Sequence, residues 1–184
     1  RALGRHDNIL WRVLDRAGSD SLAVGLIPDA IHVSDQLFRL IHRLLAKDRI
    51  FYVSDAMSAA GAPPGTYRLG AMRLEVGTDQ VVRLPGQPNF AGSALRPVDG
   101  IRRASAMLGS PWDGCWDSFS EIPARLAGLT SGLKPGGSAD FCLLDLESSG
   151  LPRPEQTWTR GVPGPAAPSP RHGRRMRHHI SAPV

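Results

Sequence analysis

An α/β fold is predicted by three neighbouring stretches of the sequence. Ile50-Phe51-Tyr52-Val53-Ser54 is rich in β-branched and aromatic residues. It runs into Asp55 and then into the turn-rich Ala60-Gly61-Ala62-Pro63-Pro64-Gly65, so it reads as a buried strand that stops at a carboxylate. Leu22-Ala23-Val24-Gly25-Leu26-Ile27, almost wholly apolar, reads as a second strand that ends at Pro28-Asp29-Ala30-Ile31-His32. Between them, Leu37, Phe38, Leu40, Ile41, Leu44 and Leu45 recur at helical spacing behind the capping candidates Ser34 and Asp35. Strand, helix of about 13 residues and strand make a βαβ unit, the connection that parallel strands require.

Position gives Asp55 its interest. Strand ends of a parallel α/β sheet converge on one mouth, and carboxylates placed there suit catalysis. The plainer reading is that Asp55 caps the turn that follows, because Asp and Ser bond nearby backbone amides. Asp29 and His32 lie just beyond the other strand, so His32 and Asp55 are expected to open onto one mouth. Arg39, His42, Arg43 and Lys47 fall on the polar face of the helix, and His42 is expected to point outward.

Ahead of this unit, Asn8-Ile9-Leu10-Trp11-Arg12-Val13-Leu14 suits a short helix, preceded by the small cationic site Arg5-His6. After Gly65 the pattern changes to short alternating segments, Thr66–Leu69, Met72–Val76 and Val81–Leu84. They are punctuated by Gly70, Gly77-Thr78-Asp79 and Pro85-Gly86, as antiparallel hairpins are. This hairpin insertion, about 66–88, elaborates the loop above the strand that ends at Asp55. Asn89-Phe90-Ala91-Gly92-Ser93 reads as a turn or as a site of close approach by a ligand. Two helices follow, one through Val98, Ile101, Ala104 and Leu108, the other from Ser118 into Leu126, delayed or kinked by Pro123. Gly132 to Asp145 reads as a turn feeding a strand, and a further strand at Gln156–Arg160 is expected to pair with it.

At 184 residues the chain is expected to hold one domain or slightly more. It begins with Arg1 rather than Met and is expected to be a piece of a longer protein. No apolar run reaches the roughly 20 residues that cross a bilayer, so no membrane partner is expected. Cys115 and Cys142 lack metal-binding spacing and are expected as buried thiols in a reducing cytoplasm. The formal charge of +5 sits mostly in residues 163–184, whose four arginines meet no acid. That Pro-, Gly- and Ala-rich tail is expected to be disordered and solvated, without specific nucleic-acid binding.

Several of these segments together resemble the N-acetylglucosamine-6-phosphate deacetylases of the amidohydrolase superfamily. They are Gly25-Leu26-Ile27-Pro28-Asp29-Ala30-Ile31-His32, Val53-Ser54-Asp55-Ala56-Met57, Tyr67-Arg68-Leu69-Gly70, Phe90-Ala91-Gly92-Ser93-Ala94-Leu95, Pro123–Leu129 and Gly132-Leu133-Lys134-Pro135-Gly136 with Ala139-Asp140. The resemblance covers roughly Arg5 to Gly161. It implies the C-terminal part of a distorted (β/α)8 barrel over 1–130, and strands of a small β-sandwich over 131–162. It matches Asp55 to the catalytic aspartate that moves the proton of the attacking water. Asp29, Ala30, Ile31 and His32 are matched to one substrate-binding segment and Phe90, Ala91 and Gly92 to another, with Arg5 near a phosphate-contacting arginine. The implied reaction is hydrolysis of the acetamide of N-acetylglucosamine 6-phosphate, with a divalent ion of the zinc or iron class and possible homodimer formation. The glutamate and two histidines that hold this metal in the family lie upstream of anything in this chain, so no metal ligand is expected here and the isolated chain is expected to be inactive. The alternatives are another amidohydrolase, of N-acyl-amino-acid deacylase or dihydroorotase type, or an inactive remnant.

Overall fold

In a computed structural model of the chain, the described residues are 8–19, 22–165 and the backbone of 179–181. Arg5, His6 and most of the basic tail lie outside them. The first helix, α1 (Ile9–Ser19), is followed by strand β1 (Val24–Leu26), helix α2 (Asp35–Leu44) and strand β2 (Ile50–Tyr52). β1 and β2 pair in parallel, Val24 with Ile50, Gly25 with Phe51 and Leu26 with Tyr52. The Val53 amide donates to the Leu26 carbonyl at 2.9 Å and carries the ladder one residue past β2. The βαβ unit is therefore present. Both strands are shorter than the sequence suggests, because their outer residues run on into the loops that carry the polar groups.

Ser34 caps α2, its hydroxyl accepting from the Leu37 amide. The helix buries Phe38 and Ile41 against Ile50, Tyr52 and Leu26, and Ile101 and Ala104 of a later helix close the same core. Leu40 and Leu44, read from the sequence as part of this apolar face, are 42% and 58% exposed, since nothing among the described residues covers them.

His42 departs further from expectation. Its Nδ1 lies 2.8 Å from the Phe38 carbonyl oxygen and its Nε2 2.8 Å from the Tyr52 hydroxyl, so the ring is a half-buried polar bridge between α2 and β2. The carbonyl can only accept, so Nδ1 carries the proton and Nε2 accepts from the tyrosine. The helical wheel gives no sign of this, because the partner hydroxyl comes from the neighbouring strand.

Beyond Asp55 the hairpins form a four-stranded antiparallel sheet, β3 (Gly65–Leu69), β4 (Met72–Val76), β5 (Val81–Arg83) and β6 (Phe90–Ser93), in that order. β6 is the segment read from the sequence as a turn. Its pairing with β5, rather than its own propensity, makes it a strand, and Gly92 takes φ +107°, which a side chain would resist. Leu74, Val76 and Val82 of this sheet pack with Met57, Ala59 and Ala94 in a second small core.

Helix α3 (Pro97–Leu108) starts on a proline at its first position and ends at Gly109 in the left-handed conformation. Helix α4 (Glu121–Leu126) begins after a 3-10 segment, Trp112–Ser118. Pro123 sits in its first turn, where amides have no intrahelical partner, so it produces no interior break. Strands β7 (Phe141–Leu146) and β8 (Pro152–Thr159) pair antiparallel, as expected, and β9 (Val162–Pro163) extends them. Within the segment read as a disordered tail, β10 (His179–Ser181) pairs through its backbone with the free edge of β7. Cys115 and Cys142 are buried free thiols, and burial pushes both up from the ordinary thiol range. Among the described residues no helix is long and apolar enough to cross a membrane.

Burial holds the His42 pKa below the ordinary 6.5, because the imidazolium is poorly solvated against Phe38 and Tyr52. The unfolded chain therefore takes up this proton first as pH falls. The native state keeps its full His42 contribution above pH 6.5 and loses it as pH drops through that value towards the native pKa. Thermal unfolding of the protein and of His42→Gln between pH 8 and 5 tests this. The parent melting temperature should fall more steeply below pH 6.5 than that of the variant. Parallel curves would show that His42 is not held neutral.

Candidate active site

Parallel pairing puts the C-terminal ends of β1 and β2 on the same side, so the Asp29–His32 turn and Asp55 rise from one edge of the core. Asp29 is 3% exposed. Its Oδ1 accepts from the amides of Ile31 and His32, both at 2.9 Å, and its Oδ2 lies 2.6 Å from His32 Nδ1. Ala30 takes φ +57°, the left-handed value that this tight turn imposes on a non-glycine residue. The turn is fixed from below by Arg103 of α3, whose guanidinium donates to the Asp29 carbonyl at 2.8 Å. α3 comes this close because Gly100 has no side chain. A Cβ there would meet the Phe119 ring at 2.8 Å and Pro28 at 3.1 Å.

Asp55 also takes a left-handed backbone, φ +50°. That kink lets the chain leave the β1–β2 ladder and pair with β6. The Ser93 amide donates to the Asp55 carbonyl at 3.2 Å, the Met57 amide to the Ser93 carbonyl at 2.9 Å, and Ala56 lies parallel to Ser93. The residue is exposed, and among the described residues its carboxylate has no hydrogen-bond or ion-pair partner. Its carboxylate is therefore left facing solvent on a left-handed strand end. The turn-capping alternative finds no support, since among the described residues no backbone amide reaches this side chain.

β6 joins the two loops. Its first residue, Phe90, sets its ring 5.2 Å from the His32 imidazole, and its last, Ser93, pairs beside Asp55, so Ala91 and Gly92 span the interval. Asp29, Ala30, Ile31, His32, Asp55, Phe90, Ala91 and Gly92 are thereby brought to one edge, while Arg5 lies outside the described residues. Sequence reading missed Arg103. Arg102 beside it bonds Glu147 and the Pro152 carbonyl instead, and nothing in the two adjacent arginines tells these roles apart.

The ensemble is an open shelf. A cavity of about 280 Å³ lies beside it, lined by Asp29, Ile31, Ser93, Arg96 and Arg103 among others, but Asp55 and His32 do not line it. Among the described residues no group of three His, Cys, Asp or Glu side chains could hold a metal ion. Asp29 and His32 are engaged with each other, and Asp55 alone does not fit a divalent ion.

No family model matches the sequence. A protein of Escherichia coli K12, provisionally named an N-acetylgalactosamine-6-phosphate deacetylase, is 33% identical over 139 residues, 74% of this chain and 79% of its own length. The N-acetylglucosamine-6-phosphate deacetylase of Vibrio furnissii is 30% identical over 152 residues, 80% of this chain and 36% of the relative. The chain belongs to the N-acetylglucosamine-6-phosphate deacetylase family. Among solved structures, the fold matches that deacetylase from Mycobacterium smegmatis with a TM-score of 0.73 and 26% identity, over 89% of this chain and 42% of the other. That structure is an aspartate-to-alanine variant in complex with N-acetyl-D-glucosamine 6-phosphate. The chain spans about a third of the length of the N-acetylglucosamine-6-phosphate deacetylases it matches.

Left-handed backbone costs an ordinary residue about 1 kcal/mol, somewhat less for Asp. Asp55→Gly should therefore raise the unfolding free energy by roughly 0.5 to 1 kcal/mol in urea titration. A loss of that size would mean that the carboxylate is structural.

Proposed function

We infer that this chain carries the catalytic-aspartate part of an amide hydrolase that converts N-acetylglucosamine 6-phosphate to glucosamine 6-phosphate and acetate. The observation that carries this reading is the unpartnered Asp55 carboxylate, on a left-handed kink at the end of a parallel strand, beside the His32 turn. Membership of the deacetylase family supports the reaction class.

Asp55 takes a proton from the water whose oxygen adds to the acetyl carbonyl carbon. When the C–N bond breaks, the same carboxyl returns the proton to the departing sugar amine. Proton transfer of this kind contributes about 10² to 10⁴ in rate. By resemblance, residues 30–32 and Phe90–Gly92 wall the sugar and Arg5 is matched to a phosphate contact, a role that suits the bidentate recognition a guanidinium offers.

The architecture that goes with this reading is the C-terminal part of a (β/α)8 barrel over 1–130, with β3 to β5 as its hairpin insertion. Residues 131–162 belong to a small β-sandwich, followed by a basic tail. The family's divalent ion, of the zinc or iron class, does not fit the described residues, and by resemblance its ligands belong to a part of the family's sequence that this chain does not span. The 184 residues alone neither hold it nor turn over substrate. Cytoplasmic location and the pairing of two copies go with this reading by resemblance alone.

The 33% identity to the Escherichia coli relative favours one further reading, the galactose epimer of the same substrate. Acetate release from both hexosamine phosphates by the complete protein decides between them. Asp55→Asn in that protein should lower acetate release at least about 10²-fold with its metal content unchanged. A variant within a factor of about two of the parent would refute the assignment of Asp55, and activity on acylated amino acids alone would refute the substrate class.

A further inference from the structure

The carboxylate of Asp29 is matched by resemblance to a substrate contact, yet its geometry faces inward. We propose that Asp29 is a positioning residue that never meets the ligand and acts through His32, fixing both the ring orientation and the nitrogen that carries its proton.

Both carboxylate oxygens of Asp29 are engaged inside the turn. One oxygen accepts two backbone amides and the other faces His32 Nδ1 at 2.6 Å, with the aspartate side chain 2% exposed. An ionised carboxylate only accepts, so the proton between them sits on Nδ1. In the neutral ring Nε2 is then the acceptor, on a side chain that is 22% exposed with the Phe90 ring centroid 5.2 Å away. The turn cannot relax to free Asp29, because Ala30 is held left-handed and Arg103 pins the Asp29 carbonyl from α3. A buried acid at this point is costly unless it has such partners. Its value lies in presenting one defined imidazole face instead of two. The consequence for catalysis rests on the reading above: a ligand group meeting Nε2 finds an acceptor already aligned.

The tautomer can be read without any activity, on the chain itself. Long-range proton–nitrogen NMR in alkaline solution, about pH 8.5, where ordinary imidazoles are neutral, distinguishes a protonated Nδ1 from a protonated Nε2. His32→Gln identifies the signals. The parent should show His32 protonated on Nδ1. In Asp29→Asn the side-chain oxygen still accepts the Ile31 and His32 amides, and its NH2 group then faces Nδ1, so the proton should move to Nε2. Arg103→Gln removes the support of the turn but keeps the carboxylate, and should retain the parent tautomer. A parent His32 protonated on Nε2 overturns the proposal whether or not Asp29→Asn folds. So does a folded Asp29→Asn protein with an unchanged tautomer, or a shift of the proton in Arg103→Gln as well. These outcomes are independent of acetate release, so a failure here is separable from a failure of the deacetylase reading.

Discussion

The register of the parallel pair β1–β2 is the constraint on which the rest depends. Parallel strands need a crossover, and α2 provides it, burying Phe38 and Ile41 over both strands. Burial of side chains of this size stabilises by about 1.5 to 3 kcal/mol each, which fixes the helix on the pair and the register with it. Once Leu26 faces Tyr52 and accepts from the Val53 amide, the two following loops have to leave from the same edge. What that edge presents is then a matter of which residues those loops carry.

Two kinds of local cost are concentrated at that edge. Ala30 and Asp55 are both non-glycine residues in left-handed backbone, and Asp29 is a buried acid. Strain of this kind persists only where surrounding structure over-determines it. Here the surroundings are named: Arg103 under the Asp29 carbonyl, Gly100 letting α3 approach Pro28, and β6 pairing on the far side of Asp55. The sheet of hairpins is thus more than a decoration of a loop, since its last strand joins the His32 turn to the Asp55 kink.

Much of this was legible in the sequence. The two apolar runs, the amphipathic helix with its Ser34 cap, the hairpin punctuation and the β7–β8 pair all follow from periodicity and turn chemistry. The placement of Asp29, His32 and Asp55 beyond strand ends follows from the same reading. What was not legible depends on partners distant in sequence. Phe90–Ser93 is a strand because β5 and Ala56 pair with it, and its small residues carry no such signal. His42 lies on the polar side of its helix, and only the Tyr52 hydroxyl turns that side inward. The inward-facing carboxylate of Asp29 is hidden for the same reason, because an acid after a strand looks alike whether it meets solvent, ligand or its own turn.

A crystal structure of the complete protein with N-acetylglucosamine 6-phosphate bound tests the central claim most directly. The acetamide group should lie between the Asp55 carboxylate and His32 Nε2, with Phe90 to Gly92 along the sugar and Asp29 out of contact with it. A ligand seated elsewhere, with Asp55 and His32 on opposite sides of the molecule, would contradict it.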